Sequence, residues 1–138
     1  MRLIVDSNIL FSALIRNSTT RRIILHIGAE LISVAFFERE MSKHKKMLLQ
    51  KSSLNEIEFD LLLEKLKSKI VFLDDRIVRT RFEEAYEIMK KIDPQDSPFL
   101  AAALATGSDI WSEDNHFGKQ QRVKIWKTKD LILFEDKV

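Results

Sequence analysis

Short apolar runs rich in β-branched residues recur along this chain at Arg2–Val5, Leu31–Val34, Ile70–Leu73, Ile110–Ser112 and Val123–Trp126, with helical stretches between the earlier ones. Runs of about four such residues bounded by polar clusters suit strands. Strands joined through helices must pair in parallel, because a tight hairpin can only return the chain antiparallel. Right-handed crossovers then lay helices on both faces of the sheet. The pattern therefore predicts an α/β fold with helices on either side of a mostly parallel sheet. Ile70–Leu73 is apolar throughout and reads as a strand covered on both faces.

The intervening segments carry helical signals. Asn8–Leu14 and Thr20–Ile27 read as two helices parted by the polar stretch from Asn17 to Thr20. Phe36–Leu49 places Phe37, Met41, His44 and Leu48 at helical spacing. The next helix opens at Ser52 or Ser53 and runs to about Leu66 on a stripe of Ile57, Leu61 and Leu62. Val78, Phe82, Ala85, Met89 and Ile92 then advance in steps of three and four until Pro94. Asp96-Ser97-Pro98 is a helix start with Asp96 as N-cap, and Gly107 closes the body Phe99–Ala105.

Composition narrows the function classes. A chain of 138 residues with 45% hydrophobic and 32% charged side chains can bury one core, so one domain over residues 1–138 is expected. With no cysteine there is no disulfide, thiolate nucleophile or Cys-based zinc site, and three scattered histidines do not make one. No apolar run approaches the roughly 18–20 residues that span a bilayer, so no membrane is expected and the reading is cytoplasmic. The net charge of +2 is uninformative, but five basic residues from Lys119 to Lys129 surround Trp126. That stretch reads either as a phosphate-contacting surface or as an edge strand guarded by lysines.

Acidic residues fall where such a fold binds ligands, beyond the carboxyl ends of strands. Asp6 follows the first run, Asp114 lies just past Ile110–Ser112, and Asp96 opens a helix. Each alone also suits a turn or cap. Brought to one point by the fold, they would form a carboxylate cluster, which raises its members' pKa values unless a cation neutralises it. All-oxygen ligation points to Mg²⁺ or Mn²⁺ with positions left open for a phosphate, and so to metal-assisted hydrolysis.

Four segments in order, LIVDSN at Leu3–Asn8, a glutamate on the helix after the second strand, DPQDSPFLAAAL from Asp93 to Leu104, and IWSEDNHF from Ile110 to Phe117, resemble the PIN domain ribonucleases. That family includes the VapC toxins of toxin–antitoxin pairs. The resemblance covers nearly the whole chain. It implies a three-layer α/β/α sandwich with a four- or five-stranded sheet, a Mg²⁺ or Mn²⁺ cofactor, and cleavage of single-stranded RNA. Asp6, Asp96 and Asp114 take the family's metal-binding acidic positions, and Ser7, Asn8 and Ser112 look like the polar residues that orient them.

The fourth acid is Glu40 or Glu38, which cannot face the same way two residues apart on a helix; Glu40-Met41-Ser42-Lys43 resembles the family pattern more closely. Asp93 reads either as added charge near the metal or as a cap or turn residue beside Pro94. His116 reads as a phosphate contact or as a surface residue. The toxin resemblance further implies a homodimer restrained by a small antitoxin. Two other readings stay open: a non-catalytic module that binds RNA or protein, and a nuclease acting on DNA.

Overall fold

The computed structural model describes residues 1–16 and 19–136, so the polar break read at Asn17 and Ser18 lies outside the described residues. Five parallel strands, β1 (Arg2–Val5), β2 (Glu30–Val34), β3 (Ile70–Leu73), β4 (Asp109–Trp111) and β5 (Ile125–Trp126), form one sheet in the order β3-β2-β1-β4-β5. On one face lie α1 (Ser7–Ile15), α2 (Thr19–His26), α3 (Phe36–Ser52), α4 (Glu56–Lys67) and α7 (Thr128–Asp136). On the other lie α5 (Asp75–Met89) and α6 (Ser97–Thr106). The result is the three-layer α/β/α sandwich.

Alternation along the strands builds both cores. Leu3, Val5, Leu31 and Trp111 enter the first apolar cluster, while Ile4, Ile32 and Ile110 enter the second. A slip of one residue in β1 would turn Leu3 and Val5 to the wrong face. Burial of each such side chain stabilises the fold by roughly 1.5–3 kcal/mol, so the register is strongly specified. The register sets Ile4 beside Ile32 and Ile110, and Val5 beside Trp111.

Several local readings need correction. β3 is an edge strand, and Val71 is 52% exposed, so this apolar run is not covered on both faces. α4 starts after Asn55, whose side chain accepts from Glu58 N–H while Glu58 reaches back to Asn55 N–H. Ser53 instead ends α3 in the left-handed region at φ 60°. That start rotates the apolar stripe: Phe59 and Leu66 are buried, whereas Ile57 is 74% and Leu61 68% exposed.

Asp96 is not a capping acid. Its side chain makes no cap hydrogen bond to α6. A 3₁₀ turn at Pro94–Asp96 precedes that helix, and Asp93 caps the turn, its Oδ1 accepting from Gln95 N–H at 3.2 Å. Gly107 closes α6 at φ 64°, in the region that favours glycine. α7 has no counterpart in the sequence reading; its Leu131 completes the first core.

Candidate active site

β1 stands between β2 and β4, so the chain builds the sheet outward in one direction through β3 and then, by way of α5 and α6, restarts on the other side of β1. Such a switch leaves a crevice beyond the carboxyl ends of the two central strands. Because Val5 pairs with Trp111, the residues that follow, Asp6 and Ser112, emerge level with each other at that crevice.

Asp6 caps α1. Its Oδ1 accepts from Ile9 N–H at 3.0 Å, and its Oδ2 accepts a short hydrogen bond from the Ser112 hydroxyl. Only 4% of Asp6 is exposed, and that burial pushes its pKa up to about 6. The two hydrogen bonds pull the value down, and the charges of Asp114 and Glu40 push it up again. The Ser112 Oγ also accepts from Asp114 N–H at 3.0 Å, so one buried hydroxyl links the acid of β1 to the acid past β4.

The two glutamates turn in different directions. Ser7 Oγ donates to Glu40 Oε1 at 2.5 Å, drawing Glu40 from α3 toward the crevice. Glu38 turns to α4 and pairs with Lys67 at 2.5 Å. Of the three polar residues with an orienting role implied, Ser7 and Ser112 contact acids. Asn8 is exposed, and among the described residues its side chain makes no hydrogen bond to an acid.

Asp96 sits half-buried at the end of its 3₁₀ turn, which the Ser97 hydroxyl steadies by donating to Pro94 O at 2.7 Å. Burial, followed by the charges of Asp93, Asp114, Asp6 and Glu40, raises its pKa to about 8. Its Oδ2 is buried without a hydrogen-bond partner. Asp114 Oδ1 accepts from His116 N–H at 2.8 Å, which tightens the loop after β4. Ligand-capable atoms of Asp93, Asp96, Asp114 and His116 all lie within 4.8 Å of one another.

The expected acids therefore share one electrostatic site, but its tightest group is not the expected trio. Asp6 stands outside that group, tied to it through Ser112, while Asp93 and His116 stand inside. The pairing of Asp93 and Asp96 at a spacing of three, across a proline, is the signal that could have placed Asp93. For His116 the signal is the turn-forming Asp114-Asn115, which folds the histidine back on its aspartate.

Taken together, the donors fit a divalent cation. They are mostly hard carboxylate oxygens, one of them buried and unpartnered, and burial first, then the neighbouring carboxylates, holds the Asp96 carboxyl well above its ordinary range. Beside Glu40, a groove of about 420 Å³ is lined by Phe36, Arg39, Lys43, His44 and Pro94 among others. The basic segment near β5 is largely engaged within the fold. Arg122 pairs with Glu84 at 2.5 Å, Lys124 lies 4.1 Å from the centre of the Trp126 ring, and Lys127 holds Asn115 at 2.9 Å.

Comparison with known proteins agrees with the fold. The PIN domain family model matches residues 4–134. Among solved structures, the chain is similar to VapBC2 from Rickettsia felis, solved bound to a DNA fragment from their promoter. That match has a TM-score of 0.69 and 12% identity, and covers 92% of this chain and 98% of that one. VapBC-1 from nontypeable Haemophilus influenzae matches with a TM-score of 0.67 and 15% identity over 94% and 99% of the two chains. FitAcB from Neisseria gonorrhoeae matches at 0.61 and 16% over 94% and 99%. No curated protein sequence matches significantly.

Proposed function

The chain belongs to the PIN domain family, whose members are in general nucleases that use divalent metals, and from that premise we propose that it forms one Mg²⁺- or Mn²⁺-dependent endoribonuclease domain hydrolysing single-stranded RNA. One observation carries the reading. Asp96, Asp114 and Asp93 gather with a buried, unpartnered carboxylate oxygen at the sheet's switch point, and Asp6 and Glu40 add charge to the same crevice.

Asp6, Asp96 and Asp114 would hold the metal. Bound there, it supplies a water of lowered pKa and positive charge for the leaving oxygen. Glu40, fixed by Ser7, accepts the proton of the attacking water. Ser112 holds Asp6 and the loop of Asp114 in one relative position, so the carboxylates keep their spacing as the phosphate enters. Arg39 and Lys43, along the groove beside Glu40, meet the phosphates of the flanking strand. No protein nucleophile is needed.

The solved neighbours are named as VapBC and FitAcB, which supports a toxin role with a small antitoxin as partner; a homodimer is proposed as the assembly. Exposed apolar side chains on α4 (Ile57, Leu61) and α5 (Ile77, Phe82, Tyr86) offer surface for such contacts. Among the described residues no helix is long and apolar enough to cross a membrane.

The test is parallel digestion of single-stranded RNA and DNA with Mg²⁺, Mn²⁺ or EDTA, using wild type and Asp96→Asn. The expected outcome is metal-dependent RNA cleavage that the variant lacks while keeping its circular dichroism spectrum. Cleavage of DNA alone would reassign the substrate. RNA binding without cleavage by the wild type would leave a non-catalytic module.

A further inference from the structure

We propose that His116 binds the divalent cation directly through Nδ1, adding one nitrogen to the carboxylates that hold it, with Asp93 beside Asp96 and Asp114. The inference rests on the metal-dependent reading above and deepens it, since it assigns the cation's preferred position and its chemical selectivity.

Nδ1 of His116 is buried and has no hydrogen-bond partner, although it lies 3.1 Å from Asp114 Oδ1 and 3.4 Å from Asp93 Oδ2. A histidine that served only as a surface residue would turn this nitrogen to water, and one that served only as a donor would align it on a carboxylate. Here it points between two carboxylates. Asp96 Oδ2, the other buried unpartnered side-chain atom among the described residues, belongs to the same group.

The mutual spacing fits one ion. Ligand atoms about 2.0–2.2 Å from a shared cation stand roughly 3–4.4 Å from one another. The four residues here hold their ligand-capable atoms within 4.8 Å, so closure on a cation needs contraction of a few tenths of an ångström. The ring is held by its own backbone, because His116 N–H donates to the carboxylate of Asp114 that the side chain flanks.

An imidazole nitrogen changes selectivity. Mg²⁺ takes oxygen ligands almost exclusively, whereas affinity for nitrogen rises from Mn²⁺ onward through the later divalent metals. The site is thus biased toward Mn²⁺ over Mg²⁺ by a residue outside the four acids of the hydrolytic reading.

Electron spin-echo spectroscopy of the Mn²⁺-loaded wild-type chain tests this without measuring cleavage. The expected spectrum shows modulation from one directly bound imidazole nitrogen, changed by ¹⁵N-histidine labelling, lost in His116→Gln and kept in His44→Gln. In parallel, Mn²⁺ affinity by titration should fall about tenfold or more in His116→Gln, with Mg²⁺ affinity changed less. The His116 side chain is 45% exposed, and a melting curve checks that the variant folds. The labelled wild-type spectrum stands even if it does not. Mn²⁺ bound with no histidine nitrogen signal, or with a signal that survives His116→Gln, overturns the proposal and leaves the carboxylate site intact. Failure of the wild type to bind Mn²⁺ or Mg²⁺ overturns both.

Discussion

Two clusters of charge in this molecule are built on opposite terms. At Glu84, on α5, Arg81 donates to the carboxylate at 2.7 Å and Arg122 at 2.5 Å, and these hydrogen bonds draw its pKa down to about 2. At the switch point, Asp6 and Asp96 are pushed up to about 6 and about 8, with burial the main cause in both. The fold can place arginines beside an acid when counter-charge serves stability. At the crevice, neither arginine nor lysine forms a salt bridge to Asp6, Asp96 or Asp114 among the described residues; the one ionisable base in contact is His116. The difference fits the proposal that a cation from solution completes the crevice.

Removing one carboxylate from the crevice should separate activity from stability most sharply. Asp96→Asn is expected to lower RNA cleavage by about 10³-fold or more, because it deletes charge aimed at the metal. The same change should raise the melting temperature of the metal-free protein, since it removes a raised-pKa acid from a crowded site. A variant that lost activity and stability together would mean that Asp96 holds the fold, and the contrast with Glu84 would collapse.

Cation binding should act next in size. An ion that binds only the folded state stabilises it by about 2.7 kcal/mol at a hundred times its dissociation constant. Millimolar Mn²⁺ is therefore expected to raise the wild-type melting temperature by several degrees and to do much less for Asp96→Asn. An equal rise in both proteins would place the ion elsewhere.

How much of this was legible in the sequence depends on what each feature needs to be seen. The strands and their parallel order follow from local runs and from chain direction, so Arg2–Val5 and Ile70–Leu73 could be read from the residues alone. Which strand lies at an edge depends on distant pairing, and Val71 shows the cost of guessing it. Likewise Ile57 and Leu61 look like core by spacing, but the cap at Asn55 rotates the helix away from that reading. At the site, the strand-end acids were visible as residues. The turn that frees Asp96 from capping arises from backbone geometry that no spacing encodes, whereas Asp114-Asn115 signals a turn without showing that it sets His116 against Asp114.

The pH dependence of stability sharpens the contrast because the two clusters act in different windows and with opposite signs. Asp6 and Asp96 have folded pKa values above the ordinary 3.8, so the folded state binds more protons than the unfolded one between those limits. Their favourable contribution is complete below about pH 3.8 and is lost as pH rises through 6 and then 8. Because the two acids influence each other and Asp96 is only half-buried, a loss of about 1–2 kcal/mol is expected. Melting of the metal-free protein from pH 5 to 9 should show this decline, and saturating Mn²⁺ should flatten it. A metal-free curve that rises across the range would contradict the assigned direction.

Glu84 gives the smallest effect and the control. Its depressed pKa means that its contribution is present above about 4.5 and is lost as pH falls toward 2, outside the range in which the crevice acids act. The group is solvent-accessible, so salt and water screen its pairs with Arg81 and Arg122. Glu84→Gln is expected to shift the melting temperature at pH 7 by a few degrees at most, and less in high salt. RNA cleavage and the Mn²⁺ response should stay at wild-type levels, because this acid already has its cations. A large loss of cleavage in Glu84→Gln would show that the two clusters are coupled through α5 and α6, and counter-charge could no longer be used to tell a structural acid from a functional one.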